Sequence, residues 1–194
     1  MNKLILCEGA TDAILLSYYL ERTAGWKFVR QPPQGVSIRA TEQNEEVTWY
    51  KKNNDYLLIC AVGGKDNFGK FFDDKIQKPL VMSDAFEKIA IVADRDNREV
   101  SEIETEASAF LKVPCGTIKN NQWNDCSYTN EFRMEKTFSA LLVVIPQEQQ
   151  GALETAMLAA IAEDPYDKSI VEKTGAFASR TVSYTHLTLP TTPY

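Results

Sequence analysis

One ten-residue stretch, Lys88-Ile89-Ala90-Ile91-Val92-Ala93-Asp94-Arg95-Asp96-Asn97, constrains the fold of this chain more than any other. Its apolar run, rich in Ile and Val, ends abruptly at two acids. A short run of this kind closed by turn formers predicts a strand buried on both faces of a parallel sheet. Such sheets carry their working residues just past the carboxyl ends of the strands, where Asp94 and Asp96 fall. In extended chain, residues i and i+2 share a face and lie roughly 6.6 Å apart. Two carboxylates so placed repel by on the order of 3 kcal/mol at an effective dielectric of about 20. A cation relieves that repulsion, and hard oxygen ligands suit Mg²⁺ or Mn²⁺. The plainer reading is that Asp and Asn are ordinary turn residues after a strand.

Three further apolar runs predict buried strands: Lys3 to Cys7, Tyr56 to Val62 and Ser139 to Pro146. Helical periodicity follows each strand, over Ala13 to Ala24, Phe68 to Ile76, Glu99 to Leu111 and Gly151 to Ile161. This alternation predicts an α/β fold, a mainly parallel central sheet of about four strands covered on both faces. Residues 26–54 show no helical period and read as an insertion. Within it Gln31 to Gly35 is a loop, Val36 to Arg39 and Glu46 to Lys51 are short strands, and Asn53-Asn54-Asp55 is a turn. Val113 to Lys136 is irregular and polar, with Trp123 and Tyr128 anchoring a short strand.

The strand ends carry the chemistry. Glu8 follows the first strand, Gly9 permits a sharp turn, and Asp12 falls in the first helical turn. Asp12 also reads as a helix cap favoured by the dipole; Glu8 precedes the turn and fits that reading poorly. After the second strand stands Gly63-Gly64-Lys65. Gly64-x-x-x-x-Gly69-Lys70 matches most of a nucleotide P-loop, but Phe71 occupies the place of the metal-binding Ser or Thr, which argues against one. A looser role survives, in which the backbone of Gly63 and Gly64 and the Lys65 ammonium meet a phosphate. Glu154 reads as a surface acid in the first turn of the last helix.

Several classes are excluded or disfavoured. The net charge of −6 argues against a large basic surface gripping nucleic acid, though a bound cation reverses the sign locally. No Cys-x-x-Cys pair suggests zinc; Cys7 and Cys60 read as small core residues. The single histidine, His186, lies in a tail that resembles translated sequencing-adapter read-through, so residues 181–194 are treated as non-native and residues 1–180 as one domain. Without that histidine, serine- and cysteine-histidine catalysis drop out. Arg98 stands where an Asp-x-Asp phosphatase wants Thr and where an EF-hand wants a ligand. No run reaches the roughly 20 apolar residues of a membrane span, and the first apolar run is too short for a signal peptide; a cytoplasmic location is expected.

Glu8-Gly9-x-x-Asp12 after the first strand and Asp94-x-Asp96 after the third, with the glycine turn Gly63-Gly64-Lys65 between them, resemble the Toprim domain of topoisomerases, DnaG-type primases, OLD-family nucleases and RecR-like proteins. Small stand-alone relatives near the OLD nucleases are most similar, sharing Gly-Gly-Lys and a late Gly-x-Leu-Glu, here Gly151-Ala152-Leu153-Glu154. The resemblance covers roughly residues 3 to 165. It implies a Toprim-like, Rossmann-like three-layer sandwich. It also implies metal-dependent phosphodiester chemistry on nucleic acid, DNA ahead of RNA. Asp94, Asp96 and Glu8 would hold Mg²⁺ or Mn²⁺, and Glu8 and Asp12 would serve as catalytic acids or bases. No topoisomerase tyrosine, primase zinc ribbon or OLD ATPase domain accompanies them. The alternative is a non-catalytic Toprim-like binding or scaffold module within a repair or defence complex, with a protein partner.

Overall fold

The computed structural model describes residues 2–111 and 116–182, the last eight of these as helix backbone alone. They divide into two compact units, Met1–Ala152 and Leu153–Tyr194. The first unit holds seven strands: β1 (Asn2–Cys7), β2 (Lys27–Val29), β3 (Glu46–Lys52), β4 (Asp55–Ala61), β5 (Lys88–Asp94), β6 (Trp123–Thr129) and β7 (Glu135–Ile145). Its helices are α1 (Ala10–Ala24), α2 (Phe68–Phe71), α3 (Gln77–Ser83) and α4 (Val100–Phe110). A 3-10 turn over Lys65–Asn67 precedes α2, and a π-helical turn over Phe72–Ile76 joins α2 to α3. The second unit holds α5 (Leu153–Ile161) and α6 (Pro165–Val182). Asp164 caps α6, its carboxylate accepting the Tyr166 N–H at 2.8 Å.

The sheet corrects the expected mainly parallel, four-stranded Toprim-like architecture. Its order is β2-β3-β4-β1-β5-β7-β6. The central β4, β1, β5 and β7 run parallel, but β2–β3, β3–β4 and β6–β7 pair antiparallel. The sheet is therefore mixed. The cause is local turn chemistry that the strand–helix alternation does not register. Lys52 pairs with Asp55 across Asn53 and Asn54, with Asn53 at φ 55°. Asn tolerates that left-handed conformation, so the chain reverses in two residues and β3 folds back on β4. At the other edge the Asn130 side-chain oxygen accepts the N–H groups of Phe132 and Met134. That turn returns β6 into β7, which begins well before its apolar run. Val36 to Arg39 is not a strand: Val36 and Ile38 bury their side chains from an irregular backbone. Lys27–Val29, whose sequence gives no strand signal, pairs with Trp49 to Lys51 instead.

Alternating side chains split the core between the two faces of the sheet. On one face Leu4, Leu6, Leu58, Cys60, Ile89, Ile91, Leu142 and Val144 pack under α2, α3 and α4 through Phe68, Phe71, Phe72, Leu80, Ile103 and Ala107. On the other, Cys7, Leu57, Ile59 and Val92 pack with Ala13 of α1, with Leu16 and Leu20 beside them. Cys7 and Cys60 are free and buried, and burial raises both thiols far above their ordinary range, which suits core residues rather than nucleophiles. No helix among the described residues is long and apolar enough to cross a membrane. His186 and residues 183–194 of the expected non-native tail lie outside the described residues.

Candidate functional site

Register brings three strand ends together. Cys7 is level with Ala61 of β4 and with Val92 of β5, so Glu8, Gly63 and Asp94 emerge at one edge of the sheet. Backbone hydrogen bonds lock the first two ends: the Gly63 and Gly64 N–H groups both donate to the Glu8 carbonyl, at 3.0 and 2.9 Å. The turn demands glycine, since Gly63 and Gly64 sit at φ 82° and 122° and a Cβ on Gly63 would come within 3.3 Å of Asn44. Of the three residues expected to bind phosphate, Gly63 and Gly64 thus have their amides committed to Glu8. They shape the turn that delivers Lys65, whose Nζ donates to Asp96 Oδ2 at 2.8 Å.

The third end is joined through a side chain. The Asp94 N–H donates to Glu8 Oε1 at 3.0 Å, across 86 positions of sequence. Burial pushes the Glu8 carboxyl up to about 7 despite that hydrogen bond, and repulsion from Asp94, Asp96 and Asp12 adds to the rise. Asp12 is itself buried, and its Oδ2 accepts the Gly9 N–H at 2.8 Å, the reach-back half of a capping box on α1.

Asp94 is the last residue of β5, whereas Asp96 stands beyond it at φ 52°. The two-residue strand period therefore stops short of Asp96. A left-handed non-glycine residue persists only where its surroundings hold it, and here they do. Asp96 and Gly151 exchange backbone hydrogen bonds at 2.7 and 2.8 Å. Arg95 donates its N–H to Ile145 (2.8 Å) and its Nη1 to the Gln147 carbonyl (2.9 Å). Arg98 reaches Glu106 at 2.6 Å. Sequence reading passed over Arg95 and Gly151 as holders of this loop. Their signal was an Arg between two acids and a lone Gly at a helix entry, neither specific by itself.

The donors suit a divalent ion in kind: every candidate ligand is a carboxylate oxygen. In charge they divide: Glu8 is half-buried beside like-charged neighbours, which a cation would relieve, whereas the Lys65 ammonium already offsets Asp96. Among the described residues no group of three or more His, Cys, Asp or Glu side chains stands ready-made to hold a metal. The fit is therefore one of donor chemistry, with Lys65 already in contact with one of the prospective ligands.

No family model matches the chain, and no curated protein matches it. Among solved structures it is similar to a hypothetical protein from Pyrococcus horikoshii OT3, at 16% identity and a TM-score of 0.59, over 97% of this chain and 83% of that one. At that identity the likeness shows the fold alone. A lactoylglutathione lyase from Agrobacterium tumefaciens aligns over 72% of this chain and 92% of that one at 14% identity, with a TM-score of 0.23, too low to carry an argument.

Proposed function

We propose that this chain performs metal-dependent phosphodiester chemistry on nucleic acid, with DNA ahead of RNA, as a nuclease-like module in the cytoplasm. The observation that carries the reading is the union of strand ends at Glu8, whose carbonyl takes the Gly63-Gly64 turn and whose carboxylate takes the Asp94 N–H. Motif likeness to Toprim proteins, in Glu8-Gly9-x-x-Asp12 and Asp94-x-Asp96, supports it; sheet topology does not. Asp94, Asp96 and Glu8 are the residues to hold Mg²⁺ or Mn²⁺. When bound, the ion supplies charge that polarises a phosphoryl oxygen and offsets developing negative charge. Where Glu8 is not itself a ligand of the ion, burial raises its carboxyl to about 7 and it takes or gives a proton near neutral pH, where such transfer is most effective. Lys65, on an exposed turn, exchanges Asp96 for a phosphate oxygen.

The second reading, a non-catalytic binding or scaffold module with a protein partner, has its own support. The Lys65–Asp96 pair already offsets charge at the site. Calorimetric titration with Mn²⁺ and Mg²⁺, then incubation with plasmid and single-stranded DNA, separates them. Binding and cleavage, both lost in Asp94→Asn/Asp96→Asn while that protein stays folded, are expected. Binding without cleavage leaves the scaffold reading, and no binding overturns the metal site.

A further inference from the structure

A cavity of about 700 Å³ lies in the first unit, away from the acids. One wall is the irregular segment that replaces an expected strand, through Ser37, Ile38, Arg39 and Thr41; the other is the end of the π turn and α3, through Lys78, Pro79 and Met82. The volume falls within the range of small-molecule sites. Its charge is unusual for an acidic chain. Lys75 on the wall is matched by Glu45, and Asp74 is the one carboxylate lining it. Arg39 and Lys78 make no ion pair among the described residues.

Two cations without ion pairs lining one cavity call for an anion, and a guanidinium suits phosphate oxygens, which it meets in pairs. Ile38, Pro79 and Met82 give the same cavity an apolar side, and a thioether makes favourable contacts with an aromatic ring. The hydroxyls of Ser37 and Thr41 complete a lining that is cationic, apolar and hydroxylic at once. The two walls are tied together. The Glu45 carboxylate accepts the Thr41 and Glu42 N–H groups at 2.7 and 3.0 Å and also the Lys75 ammonium, so the loop is riveted to the helical wall. A lining of this size and mixture matches the chemistry of a small phosphate ester with a ring.

We propose that this cavity binds a mononucleotide unit, its phosphate on Arg39 and Lys78 and its base against Pro79 and Met82. The unit is either a free nucleotide or the 5′-phosphorylated end of a single strand. The site shares no residue with the acid cluster and does not rest on the phosphodiester reading.

The test is calorimetric titration of the full chain in EDTA, which silences any metal site, with 5′-AMP, adenosine, ribose 5-phosphate and a 5′-phosphorylated oligo-dA hexamer. AMP is expected to bind at least tenfold more tightly than adenosine or ribose 5-phosphate. The exposed substitutions Arg39→Gln/Lys78→Gln should weaken it at least tenfold, and Asp94→Asn/Asp96→Asn should leave it unchanged. A hexamer that binds more tightly than AMP, and loses affinity in the same variant, identifies the strand end as the ligand; binding of AMP alone identifies the free nucleotide. Failure of both AMP and the hexamer to bind overturns the proposal. So does affinity indifferent to Arg39→Gln/Lys78→Gln, and ribose 5-phosphate binding as tightly as AMP overturns the role of the base.

Discussion

Two lysine–carboxylate pairs in the first unit put the same chemistry to opposite uses. Lys75 and Glu45 are almost sealed, their side chains 11% and 7% exposed. Glu45 takes two backbone N–H groups besides the ammonium. Lys75 also donates to Thr41 Oγ1 at 2.9 Å and lies over the Phe71 ring. Lys65 and Asp96 are 42% and 35% exposed and share one hydrogen bond. A buried pair is fixed because water cannot replace either partner, and every extra hydrogen bond makes separation more costly. An exposed pair exchanges readily with solvent, ions and substrate. Burial thus makes the first pair a rivet between a loop and a helix, and exposure leaves the second open to exchange with solvent and ions.

The largest effect belongs to the rivet. Glu45→Gln leaves a buried ammonium without its counter-charge, and such losses cost about 3 kcal/mol. Urea denaturation should show that drop. Glu45→Gln/Lys75→Met, which removes both charges, should recover more than half of it. A single substitution as mild as a surface one would break the contrast between the pairs.

Glu8 is of intermediate size and has a sign. Its folded-state pKa, about 7, lies above the usual 4.5, so folding favours the protonated carboxyl. The stability it contributes is fully present below about pH 4.5 and is lost as pH rises through about 7. Discounted for partial exposure, the loss at pH 8 is about 1–2 kcal/mol. Glu8→Gln keeps a hydrogen-bond acceptor for the Asp94 N–H and does not titrate. Thermal melts should find it close to its parent at pH 4 and more stable at pH 8. Equal slopes with pH for the two proteins would return Glu8 to an ordinary surface carboxylate.

What was legible in the sequence follows the same division. β1, β4, β5 and the apolar part of β7 announce themselves because burial on both faces demands continuous runs of Val, Ile and Leu. Glu8, Asp94 and Asp96 stand out because each follows such a run at a strand's carboxyl end. Of the antiparallel flanks, the strands over Glu46 to Lys51 and around Trp123 and Tyr128 and the turn at Asn53 were legible; β2 and the antiparallel pairing were hidden, since β2 is three residues long and exists through its pairing with β3. The Glu45–Lys75 rivet and the cavity beside it were illegible for another reason. Their partners lie 30 positions apart on an irregular loop and a π turn, and no periodicity relates them. Lys65 stood out as a partner for phosphate, but its hydrogen bond to Asp96 did not, because that contact depends on the left-handed backbone at Asp96, which spacing along the sequence does not reveal.

The smallest effect on stability, and the sharpest on function, belongs to Lys65. Asp96 accepts its hydrogen bond and raises its pKa above the ordinary lysine range, so the ammonium is charged at every pH where a divalent ion would bind. The two cations then compete for one carboxylate. Lys65→Met should leave the urea midpoint unchanged within error, because exposed pairs contribute little. Removing the competitor should tighten Mn²⁺ binding about tenfold. If Lys65 also meets phosphate, the same variant should hold metal better and cleave DNA worse, an inversion that loss of folding cannot mimic. Weaker Mn²⁺ binding in Lys65→Met would mean that the ammonium positions Asp96 for the metal instead of competing with it. The exposed pair would then be as structural as the buried one.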